Sequence, residues 1–209
     1  MFNMPSVHSL TFPSLIQNIP VLEHSVRIEA SNWLTNFAKC DLDALFTTIF
    51  AGQQTIRLSR DRLINHKYAT PEQKCAEVVL WGYPNGMRGG RSLKVLNKIS
   101  KIARLAPQSN LWPDYFNNLN ALGDLGISTI TKFAYFYSHT FTGFPALILD
   151  DQLIKNSPRW SETLIPNLSR DPRHYLSYLQ TMHRAANALN LGSRPDKLEF
   201  FLFALGNSF

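Results

Sequence analysis

Cysteine is scarce: Cys40 and Cys75 are the only two in 209 residues, 35 positions apart and outside any C-x-x-C arrangement. A disulfide framework, a thiolate zinc site and an iron–sulfur cluster within one chain are therefore excluded, since each needs more thiols at closer spacing. No apolar run approaches the ~20 residues that cross a bilayer. Pro5, Pro13 and Pro20 interrupt an N-terminal stretch that has neither the basic start nor the apolar centre of a signal peptide. A soluble, cytoplasmic protein is expected. Histidines 8, 24, 66, 139, 174 and 183 show no metal-ligand spacing, and there is no phosphate loop, Ser-His-Asp signature or coiled coil. No metal and no other cofactor is expected. Alternating strand patterns with turn dipeptides are nearly absent as well, which points to an all-α protein without internal repeats.

Apolar side chains make up 44% of the chain, enough for an extensive core. The net charge is +6, and it is concentrated: Arg57 to Arg104 holds eleven basic residues against Asp61, Glu72 and Glu77. A polyanion such as nucleic acid is the partner this balance suits. Within the stretch, Arg91, Lys94, Lys98, Lys101 and Arg104 recur at helical steps opposite Leu93, Leu96, Ile99, Ile102 and Leu105. They read as one amphipathic helix with a basic face, either a phosphate-binding stripe or a solvated surface. The approach Asn85-Gly86-Met87-Arg88-Gly89-Gly90 favours phosphate contact through free amides and flanking arginines. Thr70-Pro71-Glu72-Gln73 starts a helix that should run to about Trp81. Further helices are expected over Leu42–Gln54, Tyr115–Leu122, Thr129–Thr140, from Ser169–Pro172 towards Asn190, and over Pro195–Ala204. Phe144-Pro145-Ala146-Leu147-Ile148-Leu149 is too short for a helix and reads as a buried extended connector leading into Asp150-Asp151.

Three features stand in fixed order. Ile49-Phe50-Ala51-Gly52-Gln53-Gln54-Thr55 ends an apolar helix; Leu125-Gly126-Ile127-Ser128-Thr129-Ile130-Thr131-Lys132-Phe133-Ala134 places a lysine after a glycine-containing turn; Pro145-Ala146-Leu147-Ile148-Leu149-Asp150 ends on a carboxylate. Gln53 lies 79 residues before Lys132, and Lys132 lies 18 before Asp150. In motif, order and spacing, residues 40 to 155 resemble the helix-hairpin-helix DNA glycosylases of the endonuclease III and 8-oxoguanine glycosylase superfamily. Two departures stand out. The Gly-x-Gly usual just before the lysine is replaced by Ser128 and Ile130, and the four cysteines of the iron–sulfur branch are missing. The resemblance is therefore to cluster-free, 8-oxoguanine-glycosylase-like members. Tyr175, Tyr178, Glu199 and Phe200 on two C-terminal helices look like small bacterial proteins of that kind, some of them associated with defence against phages carrying modified bases.

The resemblance implies a two-lobed fold, with a six-helix lobe at 41–150 and a second lobe from 1–40 plus 151–209 across a DNA groove. It implies a monomer acting on double-stranded DNA, associated with the nucleoid, and excising oxidised guanine or a modified cytosine such as glucosylated hydroxymethylcytosine. Lys132 would be the nucleophile and Asp150, with Asp151 as rival, the carboxylate that stabilises positive charge developing on the sugar. A Lys132 Schiff base would allow abasic-site nicking. A lysine must lose its proton for that, which calls for a desolvated or electropositive setting. Gln53 or Gln54 would fill the gap left by the flipped base. Ser128 and Thr129 of the hairpin, with Arg88, Arg91, Lys94, Lys98 and Lys101, would contact DNA. Trp81, Tyr83 and Trp112 are, from their residue type, either core aromatics or stacking partners for the extruded base. A helix-hairpin-helix module that binds DNA without chemistry is the alternative.

Overall fold

The computed structural model describes residues 12–159 and 168–206. Twelve helices occur among them, most of them short: α1 (Phe12–Gln17), α2 (Leu34–Ala38), α3 (Asp43–Phe50), α4 (Arg60–Asn65), α5 (Pro71–Gly82), α6 (Arg91–Leu96), α7 (Ile99–Leu105), α8 (Trp112–Asn120), α9 (Ile127–Phe136), α10 (Asp151–Asn156), α11 (Tyr175–Ala188) and α12 (Pro195–Gly206). The mostly helical architecture agrees with the sequence. None of these helices is long and apolar enough to cross a membrane.

Two helices organise the core. In α5 every residue from Cys75 to Trp81 is buried, and in α9 so is every residue from Thr129 to Phe136. A helix that is apolar on all sides has no solvent face and must be surrounded by others. The two pack against each other, with α7 also against α5 and α8 against α9. Helix α5 begins as its sequence predicts: Thr70 Oγ1 accepts from Gln73 N at 3.2 Å, and Pro71 stands at the first turn. Gln73 reaches back with Oε1 to Ala69 N at 3.4 Å, a variant of the capping box.

Four local expectations need correction. The helix begun at Leu42 stops at Phe50 because Ala51 and Gly52 both take left-handed backbone (φ 48° and 76°), so the two glutamines lie in a loop. The basic segment is two helices, α6 and α7, broken at Asn97–Lys98, rather than one. Helix α9 starts after Gly126 and ends at Phe136, ahead of Thr140. Strands are also present: β1 (Ser25–Glu29) pairs antiparallel with β2 (Thr55–Ser59), Ile28 opposite Ile56, and the short β3 (Thr140–Phe141) pairs with β4 (Phe144–Pro145).

The β1–β2 ladder matters for position. Beyond its Ser25–Ser59 end, Arg60 N donates to His24 O at 3.0 Å, setting those two residues side by side.

Phe144 and Pro145 of the expected connector form β4, and residues 146–149 are its buried extended part. That part belongs to no sheet, so its backbone groups must find other partners. Tyr175 Oη donates to Leu147 O (2.6 Å) and accepts from Leu147 N (3.1 Å). Tyr178 Oη donates to Ile148 O at 2.9 Å, and Leu149 N donates to Thr131 Oγ1 at 3.1 Å. Side chains of α11 and α9 thus clamp the connector, and Ala146 N adds a backbone hydrogen bond to His139 O at 2.8 Å. Tyr178→Phe leaves one buried carbonyl without a donor and should cost about 1–3 kcal/mol in urea denaturation. Tyr175→Phe strands two backbone groups of Leu147 and should cost more than Tyr178→Phe.

Candidate active site

Lys132 belongs to α9 and is therefore carried into the interior with its apolar neighbours; 4% of it remains exposed. A buried ammonium needs partners. Its Nζ donates to Asp150 Oδ2 at 2.7 Å, to Ser128 Oγ at 2.7 Å and to the Ser128 carbonyl at 3.4 Å. Ser128 Oγ in turn donates to Asp150 Oδ2 at 3.2 Å, closing a triangle. The clamped connector ends where this carboxylate is needed. Asp150 is the N-cap of α10, and its Oδ1 accepts from Gln152 N at 2.9 Å. Burial pushes the Asp150 carboxyl up, but the charge and hydrogen bond of Lys132, with the Gln152 amide and Ser128, outweigh it and hold the group below the usual aspartate range.

The lysine's shaft crosses the end of α5. A Cβ on Gly82 would stand 3.0 Å from Lys132 Cδ and 3.3 Å from Cε, so the absence of a side chain there makes room for it. Lys132 Nζ also lies 5.7 Å from the centre of the Tyr83 ring.

Lys132 and Asp150 line a cavity of about 200 Å³, together with His24, Arg60, Trp81 and Glu199. Arg60 and Glu199 form a buried ion pair, NH1 to Oε2 at 3.0 Å and NH2 to Oε1 at 3.4 Å. Burial pushes the Glu199 carboxyl up, and the neighbouring Arg60 only partly offsets this. Burial, then the charge of Arg60, pushes the His24 imidazole down to about 4, so it is neutral at physiological pH. A lysine and a carboxylate in contact at the wall of a cavity form an arrangement in which the amine, once it has given up a proton, can attack an electrophilic carbon and the carboxylate can stabilise a nearby cation.

The family described as "Putative 8-oxoguanine DNA glycosylase OGG-like protein" matches residues 19–203. The chain belongs to this family. No curated protein and no solved structure gives a match. Membership in an OGG-like glycosylase family makes DNA the substrate class to test the site against.

The other sequence candidates are distributed unevenly around it. Trp81 lines the cavity, whereas Trp112 is held away from it in an aromatic cluster, 4.0 Å from the Tyr175 ring centre, with Nε1 donating to Pro172 O. Tyr83 is half-buried and its hydroxyl shares a 2.6 Å hydrogen bond with Thr129 Oγ1. Thr129 is thus buried and occupied, and Ser128 is turned towards Lys132 and Asp150; neither side chain is presented to solvent as a hairpin contact would require. Asp151, the rival carboxylate, is exposed and paired with Arg170.

Gln53 and Gln54 are exposed in their loop. Arg91 and Lys101 are exposed as well, while the side chain of Arg88 lies outside the described residues. Lys98 and Lys94 pair with Asp124 at 2.8 and 3.5 Å, and a hydrogen bond from Lys98 and the nearby lysine charges hold the Asp124 carboxyl below its usual range. The basic face is thereby partly neutralised from within.

Sequence reasoning missed His24, Arg60 and Gly82 as parts of the site. The basic count over Arg57–Arg104 hid Arg60 among surface charges, although a pattern of two short alternating segments, SVRIE and TIRLS, could have located the ladder that brings it to His24. Among the described residues no group of three or more His, Cys, Asp or Glu is arranged to hold a metal ion.

The Asp150 shift has a direct consequence for stability. Because its folded pKa is depressed, the stabilisation is present above the unfolded value near 3.8 and is lost as pH falls through the lower folded value. The gap in thermal stability between the wild type and Asp150→Asn should be full at neutral pH and close progressively below about pH 4.

Proposed function

We propose that this protein is a two-lobed DNA glycosylase of the helix-hairpin-helix type that extrudes a modified base from duplex DNA into the cavity beside Lys132 and Asp150 and breaks its N-glycosidic bond. The observation that carries this reading is the Lys132–Ser128–Asp150 triangle at the wall of a cavity, in a chain of an OGG-like family. The first lobe would comprise 41–150 and the second 151–209 with the N-terminal 1–40, the groove lying between them. Helices α8 and α9 with their intervening turn would be the hairpin that meets the DNA backbone. The Ser128 and Thr129 hydroxyls are engaged within the protein, so other groups of that turn would make the contact.

The exposed Gln53–Gln54 loop supports a wedge that fills the stack when the base leaves. Entry of the sugar would part Lys132 from Asp150. Nζ gives a proton to solvent and attacks C1′; a new C–N bond forms while the bond to the base breaks, its electron pair leaving with the base, which takes a proton from solvent. Asp150, with the Gln152 amide on its Oδ1, faces the positive charge that develops on the sugar. Transfer of a further proton from the nitrogen to the ring oxygen, with the C1′–O4′ bond breaking as C1′=N forms, gives a Schiff base from which the strand can be nicked. Oxidised guanine is the base the family favours, which would make the role one of repair; a glucosylated hydroxymethylcytosine would make it one of antiviral defence.

Duplexes carrying 8-oxoguanine, glucosylated hydroxymethylcytosine or an unmodified control, incubated with protein and borohydride, test this directly. The wild type should release 8-oxoguanine and form a covalent adduct, and Lys132→Gln should lose the adduct and the nicking while still binding the duplex. If Lys132→Gln releases base at the full rate without nicking, water is the nucleophile and the Schiff-base step is wrong. If no modified base is released by either protein, the chain is a DNA-binding module and the enzymatic reading falls.

A further inference from the structure

Among the described residues four buried side-chain polar atoms have no hydrogen-bond partner: His24 Nδ1, Arg60 Nε, Trp81 Nε1 and Tyr115 Oη. Folded interiors pair nearly all such groups, so each exception asks for a reason. Three of the four belong to side chains of one cavity wall, the cavity that holds Lys132 and Asp150. Tyr115 sits apart, in the aromatic cluster around Trp112.

These groups are not free to turn towards solvent. Arg60 is 2% exposed, both its terminal nitrogens are engaged by Glu199, and its guanidinium lies 5.2–5.4 Å from the ring centres of Trp81, Tyr135 and Phe200. Trp81 is 7% exposed, with His24 and Phe136 both packed T-shaped against it at 5.6 and 5.0 Å. With the Arg60 guanidinium over the ring as well, Trp81 has little room to stack on a base, which leaves the ring N–H as its functional group. An indole N–H and an arginine Nε–H can only donate. Neutral His24 can do either. The chemical complement of this wall is an edge rich in acceptors.

We infer that Trp81 and Arg60 are specificity residues whose N–H groups, unpartnered and covered in the free protein, are paired by acceptor atoms of the extruded base once it seats in the cavity. This rests on the glycosylase reading above. A site that donates to a substrate group discriminates strongly against a base lacking it, because the buried donors are then left unpaired. The Arg60–Glu199 pair acquires a role on this account: Glu199 holds the guanidinium in place while leaving Nε available.

Trp81→Phe keeps an aromatic ring and removes only the donor. Its kcat/KM for release of 8-oxoguanine should fall about tenfold or more, while its affinity for a duplex containing a tetrahydrofuran abasic analogue, which offers no base to read, should match the wild type. Arg60→Lys keeps a charge for Glu199 and should show the same split; should it fail to fold, Trp81→Phe alone decides. Full excision of 8-oxoguanine by Trp81→Phe, or an equal loss of abasic-analogue binding, overturns the inference while the glycosylase reading stands. A wild type that releases no base at all removes both.

Discussion

A lysine in the middle of a helix that is buried on every side is the constraint around which this structure is arranged. Helix α9 packs its whole circumference into the core, and Lys132 goes with it. Such a charge is tolerated only with a carboxylate and further hydrogen bonds at hand, and removing one partner of a buried pair typically costs about 3–5 kcal/mol. Asp150 and Ser128 meet that need at 2.7 Å each. Replacing the pair by apolar groups of similar size is often neutral or stabilising in proteins, so stability alone does not account for an ion pair here. Its position beside a cavity, with Gly82 clearing space for the lysine shaft, supports a chemical role.

The carboxylate reaches the lysine through an extended segment, 146–149, that has no sheet to belong to. Its backbone is satisfied by Tyr175, Tyr178 and Thr131, so side chains from the C-terminal helix α11 and from α9 itself fix where Asp150 sits. The C-terminal part of the chain also supplies Glu199, which anchors Arg60 in the cavity wall. Arg60 reaches that wall because the β1–β2 ladder ends next to His24. Elements remote in sequence thus converge on one cavity, and the small hairpin-like sheet, negligible as architecture, is essential to its placement.

How much of this the sequence revealed follows from which interactions are local. Capping at Thr70 and Asp150 depends on residues two or three positions apart and was readable. So was most of the burial in the apolar run 144–149, which holds for 146–149 but not for Phe144 and Pro145 in β4. The order Gln-Gln, Lys, Asp identified the pair that the fold brings into contact. By contrast, the break between α6 and α7 is invisible to a periodicity that simply continues through it. The pairing of Lys98 with Asp124, and of Arg60 with Glu199 across 139 residues, is a tertiary event that no count of charges anticipates. Trp112 and Trp81 are both buried tryptophans in composition and pattern; only packing separates the one in the aromatic cluster from the one at the cavity.

The central claim is that the Asp150 carboxylate stabilises the cation that forms as the base departs. Single-turnover release of 8-oxoguanine from a saturated complex, compared between the wild type and Asp150→Asn at neutral pH, measures that step without contribution from binding. The account predicts a loss on the order of 10²–10³-fold, the size associated with removing one preorganised electrostatic stabiliser. Equal rates in the two proteins would contradict it.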